Sequence, residues 1–105
     1  MKITEEMIEQ RNRWLRVVSE LTGVSTDDIL GKSRLERIVS ARMFVMWSLR
    51  TFCDYSFPII GRLMRRHYST AIYAVGKVNG RCHLTRREMD VKNALLDIQR
   101  KAAQG

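Results

Sequence analysis

Proline occurs once in 105 residues and glycine six times, so few positions interrupt a helix. Cysteine occurs twice, at Cys53 and Cys82, with no CxxC spacing. That argues against a disulfide framework, and both are expected to be free thiols in a reducing compartment. No apolar run approaches the roughly 20 residues of a membrane span, and no basic-then-apolar leader opens the chain. The expectation is a cytoplasmic protein without membrane contact. His67 and His83 lie near arginines, without cysteine or carboxylate at ligand spacing, so no metal is expected. The phosphate-binding pattern G-x-x-x-x-G-K-[ST] is absent and no catalytic constellation stands out, so neither a cofactor nor an enzyme is expected. No segment alternates as a strand.

What is abundant is positive charge, net +8, and it is unevenly placed. Residues 32–79 carry nine basic side chains against two acidic ones, whereas residues 1–31 carry four against six. Arginine outnumbers lysine in the middle third, which suits phosphate or base contact better than mere solubility. A localised positive field attracts a polyanion.

Hydrophobic residues make up 45% of the chain, enough for one modest core. Helical periodicity runs along most of it. Met7, Trp14 and Leu21 recur at seven-residue spacing, with Ile8, Leu15 and Val18 beside them. This predicts a helix from Ile3 to about Leu21, capped by Thr4 and ended by Gly23. Ser25 to Asp28 opens a short helical turn. Ser33-Arg34-Leu35-Glu36 reads as a capping box before a helix to about Phe52. Its buried stripe would be Ile38, Val45, Leu49 and Phe52, with Val39, Met46 and Cys53. Arg34, Arg37 and Arg42 fall near its start, where positive charge opposes the helix dipole, which implies a use outside the fold. Ser56 and Pro58 open the next helix. Arg65 to Tyr68 forms a tight basic turn, and Ser69 caps a second short helix with Ile72, Val75 and Val78 inward. Thr70, Ala71, Tyr73, Ala74 and Lys77 are left for its outer face, and Asn79-Gly80 stops it. Thr85 to Glu88 is a second capping box, with Leu84 and Met89 as a staple. Met89, Leu95, Leu96 and Ile98 pack the last helix back on the bundle, and the tail from Lys101 frays.

The fold expected is therefore all-α, a compact bundle of five to six helices in a single domain over 1–105. The hairpin from Ser56 to Lys77 has the layout of a helix-turn-helix, which places its second helix in a DNA major groove. The start of that helix, with the Ser69 and Thr70 hydroxyls, is suited to a phosphate, and Thr70 and Ala71 are small enough to enter a groove. A helical hairpin within any bundle gives a similar pattern.

Gly-Lys-Ser-Arg at 31–34, Ile38-Val39, Ala41-Arg42 and Met46 are followed by Ser56-x-Pro-x-Ile-Gly, Ser69-Thr70 and Tyr73-Ala74-x-x-Lys77. In this order they resemble the C-terminal DNA-binding domain of the bacterial replication initiator family DnaA. The match runs from about 25 to 78, with 1–24 and 84–103 as flanking helices. The resemblance implies binding to double-stranded DNA by a reader that lacks the ATPase module. Its helix-turn-helix would read the major groove and an arginine of a basic loop the minor groove. Arg34 corresponds to that arginine, Arg42 to a basic residue near the phosphates, and Pro58 to a proline near a thymine methyl. Arg66, Ser69 and Thr70 correspond to the turn and the helix start. With Lys32, Arg65, His67, Tyr68 and Lys77 these make up the expected DNA-binding set. The family's usual Gly-Arg-Asp-His-Ser/Thr-Thr turn is here Arg65-Arg66-His67-Tyr68-Ser69-Thr70, so His67 and Tyr68 stand where the family reads bases. A regulator of replication or transcription is implied. The alternative is a protein-interaction module that has lost specific DNA reading. In that case Trp47 and Tyr55 would serve as exposed anchors, and the flanking helices would meet a protein partner or a second copy.

Overall fold

A computed structural model describes residues 2–81 and 83–104; Cys82 lies outside the described residues. Among them there are six α-helices and no strand: α1 (Glu5–Thr22), α2 (Thr26–Leu30), α3 (Glu36–Cys53), α4 (Phe57–Leu63), α5 (Tyr68–Gly76) and α6 (Arg86–Gln104). Between α5 and α6 the chain continues through a wider helical turn over Lys77–Arg81, in which Gly80 takes φ 103°.

Local chemistry accounts for most of the starts and stops. Thr4 accepts from the Met7 N–H at 3.2 Å, Ser25 from Asp28 at 3.1 Å and Ser56 from Ile59 at 3.4 Å. Gly23 ends α1 at φ 77°. The Thr85 box closes in both directions: Glu88 N–H reaches Thr85 Oγ1 at 3.1 Å, and Thr85 N–H reaches Glu88 Oε1 at 3.0 Å. The Ser33 box does not form. α3 starts at Glu36 after Leu35, and Ser33 Oγ instead accepts from the Leu35 N–H at 3.2 Å. Residues 32–35 are thereby an extended loop rather than a first helical turn.

α3 is the axis of the bundle, packed against α1, α2, α4, α5 and α6. Every residue from Ala41 to Leu49 is buried, a helix enclosed on all sides rather than one with a single apolar stripe. Val39, expected inside, is 43% exposed. Trp47, the expected surface anchor, is buried, and its Nε1 donates to Asn79 Oδ1 at 2.9 Å; Tyr55 is half-buried. Cys53 is a free, half-buried thiol whose pKa is pushed up chiefly by burial.

Two outer helices are less buried than their periodicity implied. Ile8 and Leu21 of α1, and Met89 and Leu96 of α6, are exposed. Val91 and Leu95 carry the contact of α6 with the core, and the helix continues through Lys101 to Gln104 instead of fraying. Glu88 fastens its first turn, because Oε2 also accepts from the α3 hydroxyl of Ser40 at 2.8 Å. Burial pushes the Glu88 carboxyl up, but hydrogen bonds from Thr85 and Ser40, with the charge of Lys77, outweigh it and hold the group below its ordinary range. A depressed folded-state value means the anion stabilises the fold above the unfolded carboxylate range and that this is lost as pH falls through the folded value. Glu88→Ala should accordingly cost about 1 kcal/mol at neutral pH, with the gap from the native chain closing in acid. Thermal unfolding across pH checks it, and a gap that stayed constant would show that the carboxylate charge plays no part.

Candidate nucleic-acid interface

α4 and α5 form the helix-turn-helix, and the turn between them is very tight. The Arg66 N–H returns to the Gly61 carbonyl at 2.8 Å, and Arg65 takes φ 58° to make the reversal. Gly61 lies against this turn. A Cβ there would stand 2.7 Å from the Arg66 carbonyl oxygen and 3.1 Å from Tyr68 N. The turn is also held from α1, where Arg11 Nη1 donates to the Leu63 carbonyl at 3.1 Å. Burial, and then the charge of Arg65, lower the Arg11 pKa.

The cap of α5 is not the expected one. The N-cap is His67, whose Nδ1 accepts from the Ser69 N–H at 3.2 Å and lies 2.8 Å from Ser69 Oγ. α5 therefore begins at Tyr68, and the Ser69 N–H and hydroxyl already have a partner. The cradle expected for a phosphate at this point is thus partly filled by the protein itself. Ala71 and Ala74, expected on the outer face, are buried against the bundle, whereas Ile72 is 37% exposed. Small residues on the inner face let α5 approach α3 and α4, to which it packs closely. Ala71 consequently faces the protein interior, away from any groove partner.

Arg42 is the largest departure. It is 5% exposed, so it does not stand among the phosphate-facing cations. Its Nε donates to the Ile29 carbonyl at 2.7 Å and its Nη1 to Ser33 at 3.1 Å. Nη2 donates to Gly31 at 3.0 Å and to Asp28 at 3.3 Å. These carbonyls belong to the end of α2 and the loop after it, where helix geometry leaves acceptors unpaired and the dipole favours a cation. Burial, and then the charge of Arg66, lower its pKa from the usual arginine value. The Arg42 charge thus serves the fold, whereas Arg34 and Arg37 stay exposed. Arg66 belongs to the same assembly: its half-buried guanidinium donates to the carbonyls of Gly31 and Arg65. The Gly31 carbonyl is thereby shared by two arginines, one from α3 and one from the helix-turn-helix turn. The basic loop and the turn are joined at this oxygen.

Most of the remaining expected residues lie at the surface. Lys32, Arg34, Pro58, Arg65, His67, Tyr68, Ser69 and Thr70 are exposed, and Lys77 is half-buried. Arg34, Arg66, Thr70 and Lys77 line a single cleft of ≈ 330 Å³ between the loop, α3 and α5. Residues outside the expected set line it as well, among them Glu36, Ser40, Tyr73 and Glu88. Tyr73 is one turn on from Thr70 and 56% exposed, and Glu88 brings α6 to the cleft edge, opposite Lys77. The three-residue spacing from Thr70 was the available signal for Tyr73; nothing local marked Glu88. Among the described residues, Lys32, Arg34, Arg37 and Arg65 have no carboxylate partner, and the ion pairs seen, Arg86–Asp90, Arg100–Asp97 and Lys101–Asp97, all lie within α6. No cluster of three or more metal-ligating side chains occurs among the described residues, and none of their helices is long and apolar enough to cross a membrane.

Comparison with known proteins gives a consistent set of relatives. A family model described as bacterial dnaA protein helix-turn-helix matches residues 3–78. The chromosomal replication initiator protein DnaA of Picosynechococcus sp. is 37% identical over 65 residues, which are 61% of this chain and 14% of that protein. The protein of the same name from Pelobacter propionicus is 33% identical over 78 residues, 73% of this chain and 16% of its own length. The protein of that name from Gloeobacter violaceus gives the same identity and coverage. The chain thus spans well under a fifth of the length of these relatives.

Proposed function

The chain belongs to the bacterial dnaA protein helix-turn-helix family, and from that premise we propose that it binds double-stranded DNA with a sequence preference, in a replication or transcription setting. In this reading the start of α5 enters the major groove with Thr70, Ser69 and Tyr68 towards the base edges. Arg34 of the neighbouring loop enters the adjoining minor groove, and Lys32, Arg65 and Lys77 supply charge for the phosphates. Pro58 is exposed in the first turn of α4.

The observation that supports this best is that Arg34 and Thr70, 36 positions apart in sequence, line the same cleft. A minor-groove arginine and a major-groove helix help each other only if one rigid body presents both. The link through Gly31, Arg42 and Arg66 supplies that rigidity. Lys32, Arg34 and Arg65, which have no carboxylate partner among the described residues, favour a polyanion.

Binding should weaken steeply as salt rises, since each phosphate neutralised releases counterions. Arg34→Ala and Thr70→Ala should each cost about 1–3 kcal/mol on a preferred duplex, and Arg34→Ala should also flatten the salt slope. Selection from a random duplex library, followed by titration of the enriched sequence at several salt concentrations, tests both. Equal affinity of the native chain and both variants for every duplex would refute these assignments.

A further inference from the structure

The two ends of α1 carry opposite kinds of surface. At its C-terminal end, Leu21 helps to line a hollow of ≈ 570 Å³ between α1, α3 and α6. Buried Val24 and Val91 line it too, and Leu21 is 37% exposed. Two arginines complete it, Arg37 from the first turn of α3 and Arg87 from the first turn of α6. Both are exposed, and neither enters a hydrogen bond or an ion pair among the described residues. The one carboxylate lining this hollow, Glu88, is already committed to the Thr85 N–H and the Ser40 hydroxyl. Two like charges therefore share an apolar recess in which no carboxylate is free to meet them.

At the N-terminal end of α1, Glu5 and Glu9 are exposed, and they too enter no hydrogen bond or ion pair among the described residues. Ile8 lies beside them, 38% exposed. Carboxylates four positions apart on a helix are neighbours and repel. The positive helix start favours Glu5, but Glu9 lies beyond the first turn, where that effect has faded. This end thus offers one apolar side chain flanked by two anions. The hollow offers apolar surface flanked by two cations. At 1.5 Å per residue the two ends are about 20 Å apart, so they cannot meet within one molecule.

We propose that the chain associates head to tail with a second copy: Glu5 and Glu9 of one molecule pair with Arg37 and Arg87 of the next, and Ile8 enters the hollow against Leu21. Complementary charge brings the two surfaces together and fixes their register. A lone phosphate would pair the arginines but leave Leu21 uncovered, whereas the start of α1 supplies both contacts. Because the two surfaces differ, the contact is heterologous, and each added copy leaves one surface of each kind unused. A row of copies results rather than a two-fold dimer. The net charge of +8 on every copy opposes association, so the contact is weak in the free protein. Glu5, Glu9, Arg37 and Arg87 line no part of the cleft shared by Arg34 and Thr70, so the contact is independent of the DNA-binding reading.

Sedimentation of the full chain at low ionic strength, over concentrations up to about 1 mM, measures the association. Two charge-reversed variants divide the contact: Glu5→Lys with Glu9→Lys, and Arg37→Glu with Arg87→Glu. The native chain should gain mass with concentration, and each variant alone should need at least about tenfold more protein to do so. The arginine-reversed variant carries half the native net charge of +8, so its loss cannot come from general repulsion. An equimolar mixture of the two variants should regain the native behaviour, because the reversed ends pair with one another and the mean charge is again the native one. Thermal unfolding should place both variants close to the native chain, since all four side chains are exposed and unpartnered; where a double variant unfolds, Glu9→Lys and Arg87→Glu carry the same comparison. A native chain that stays monomeric at every concentration would overturn the proposal, leaving the hollow to another acidic partner. A mixture that associates no better than its components would overturn it equally.

Discussion

Arg42→Ala is expected to destabilise the protein by about 3 kcal/mol and to weaken duplex binding even where the variant stays folded. The guanidinium makes four donations into one cluster of carbonyls and is itself almost fully buried. Hydrogen bonds from a charged donor contribute roughly 1.5–3 kcal/mol each, and each carbonyl stranded without a partner adds a desolvation cost. The four are not additive, because they share one side chain and because the loop carbonyls regain water when the loop loosens. A loss of about 3 kcal/mol corresponds to a fall in melting temperature of roughly 10–20 °C for a chain of this size. The binding defect has a separate origin. Without Arg42 the Gly31–Arg34 loop keeps only local bonds and the Arg66 contact, and Arg34 must be ordered at the moment of binding. Arg42→Lys should recover part of the stability, since one ammonium cannot span carbonyls arranged around a planar fork. Thermal unfolding and duplex titration of both variants check this; a change below about 0.5 kcal/mol would mean that the carbonyl cluster contributes little.

The second large effect is expected at Gly61. A methyl there meets backbone on every near side: the Arg66 carbonyl at 2.7 Å, Tyr68 N at 3.1 Å and Tyr68 Cα at 3.2 Å. No side-chain rotation relieves such contacts, so α4 and the turn must separate. Overpacking of this kind costs about 1–3 kcal/mol, and here belongs at the top of that range. Alanine regains about 1 kcal/mol of helix propensity, which leaves Gly61→Ala about 2 kcal/mol less stable. Gly61→Val should exceed this, having more atoms in the same space and no propensity gain to match. Both variants should lose at least about tenfold in duplex affinity, because opening the turn tilts α5 relative to the Arg34 loop. Retention of native affinity by Gly61→Ala, at a temperature where it is folded, would show that the turn geometry is not critical for binding.

These two residues illustrate how differently the sequence discloses its features. The Gly61 contact was legible, since a glycine within the first helix of a helix-turn-helix implies close approach. The role of Arg42 was not, because an arginine six residues into a helix looks like any surface cation until the end of α2 is placed over it. The same applies to the positive excess as a whole. The charge sum of the middle third counts Arg42, Arg50 and Arg66, yet each donates to a backbone carbonyl: Arg50 to Tyr55 at 3.1 Å, and the other two to the loop. The cations free to meet a polyanion are fewer than the sum, and they are concentrated at Lys32, Arg34, Arg37 and Arg65.

Local caps separate in the same way. Ser25, Ser56 and the Thr85–Glu88 box follow from spacing alone, because their partners lie three residues away on the same chain segment. The Ser33 box and the Ser69 cap had equally good local patterns but were displaced. The Ser33 carbonyl is held by Arg42, and the loop around it stays extended; at the other end, His67 reaches the Ser69 N–H first. Starting α5 two residues earlier and packing it on its alanines turned Ala71 and Ala74 inward and left Ile72 at the surface. Apolarity ranks isoleucine as the better core residue, but a close helix crossing leaves room only for a small one.

By itself the sequence determined the helical class, the number of helices to within one, the caps whose partners are three residues away and the family resemblance. Each of these depends on neighbours along the chain or on the order of short motifs. Only the tertiary structure decided which arginines are structural and which face outward, and that His67 rather than Ser69 caps α5. It also decided that Arg34 and Thr70 share one cleft. Those outcomes depend on carbonyls and backbone brought together from distant segments, and a hydrogen bond to a distant carbonyl leaves no periodicity in the sequence.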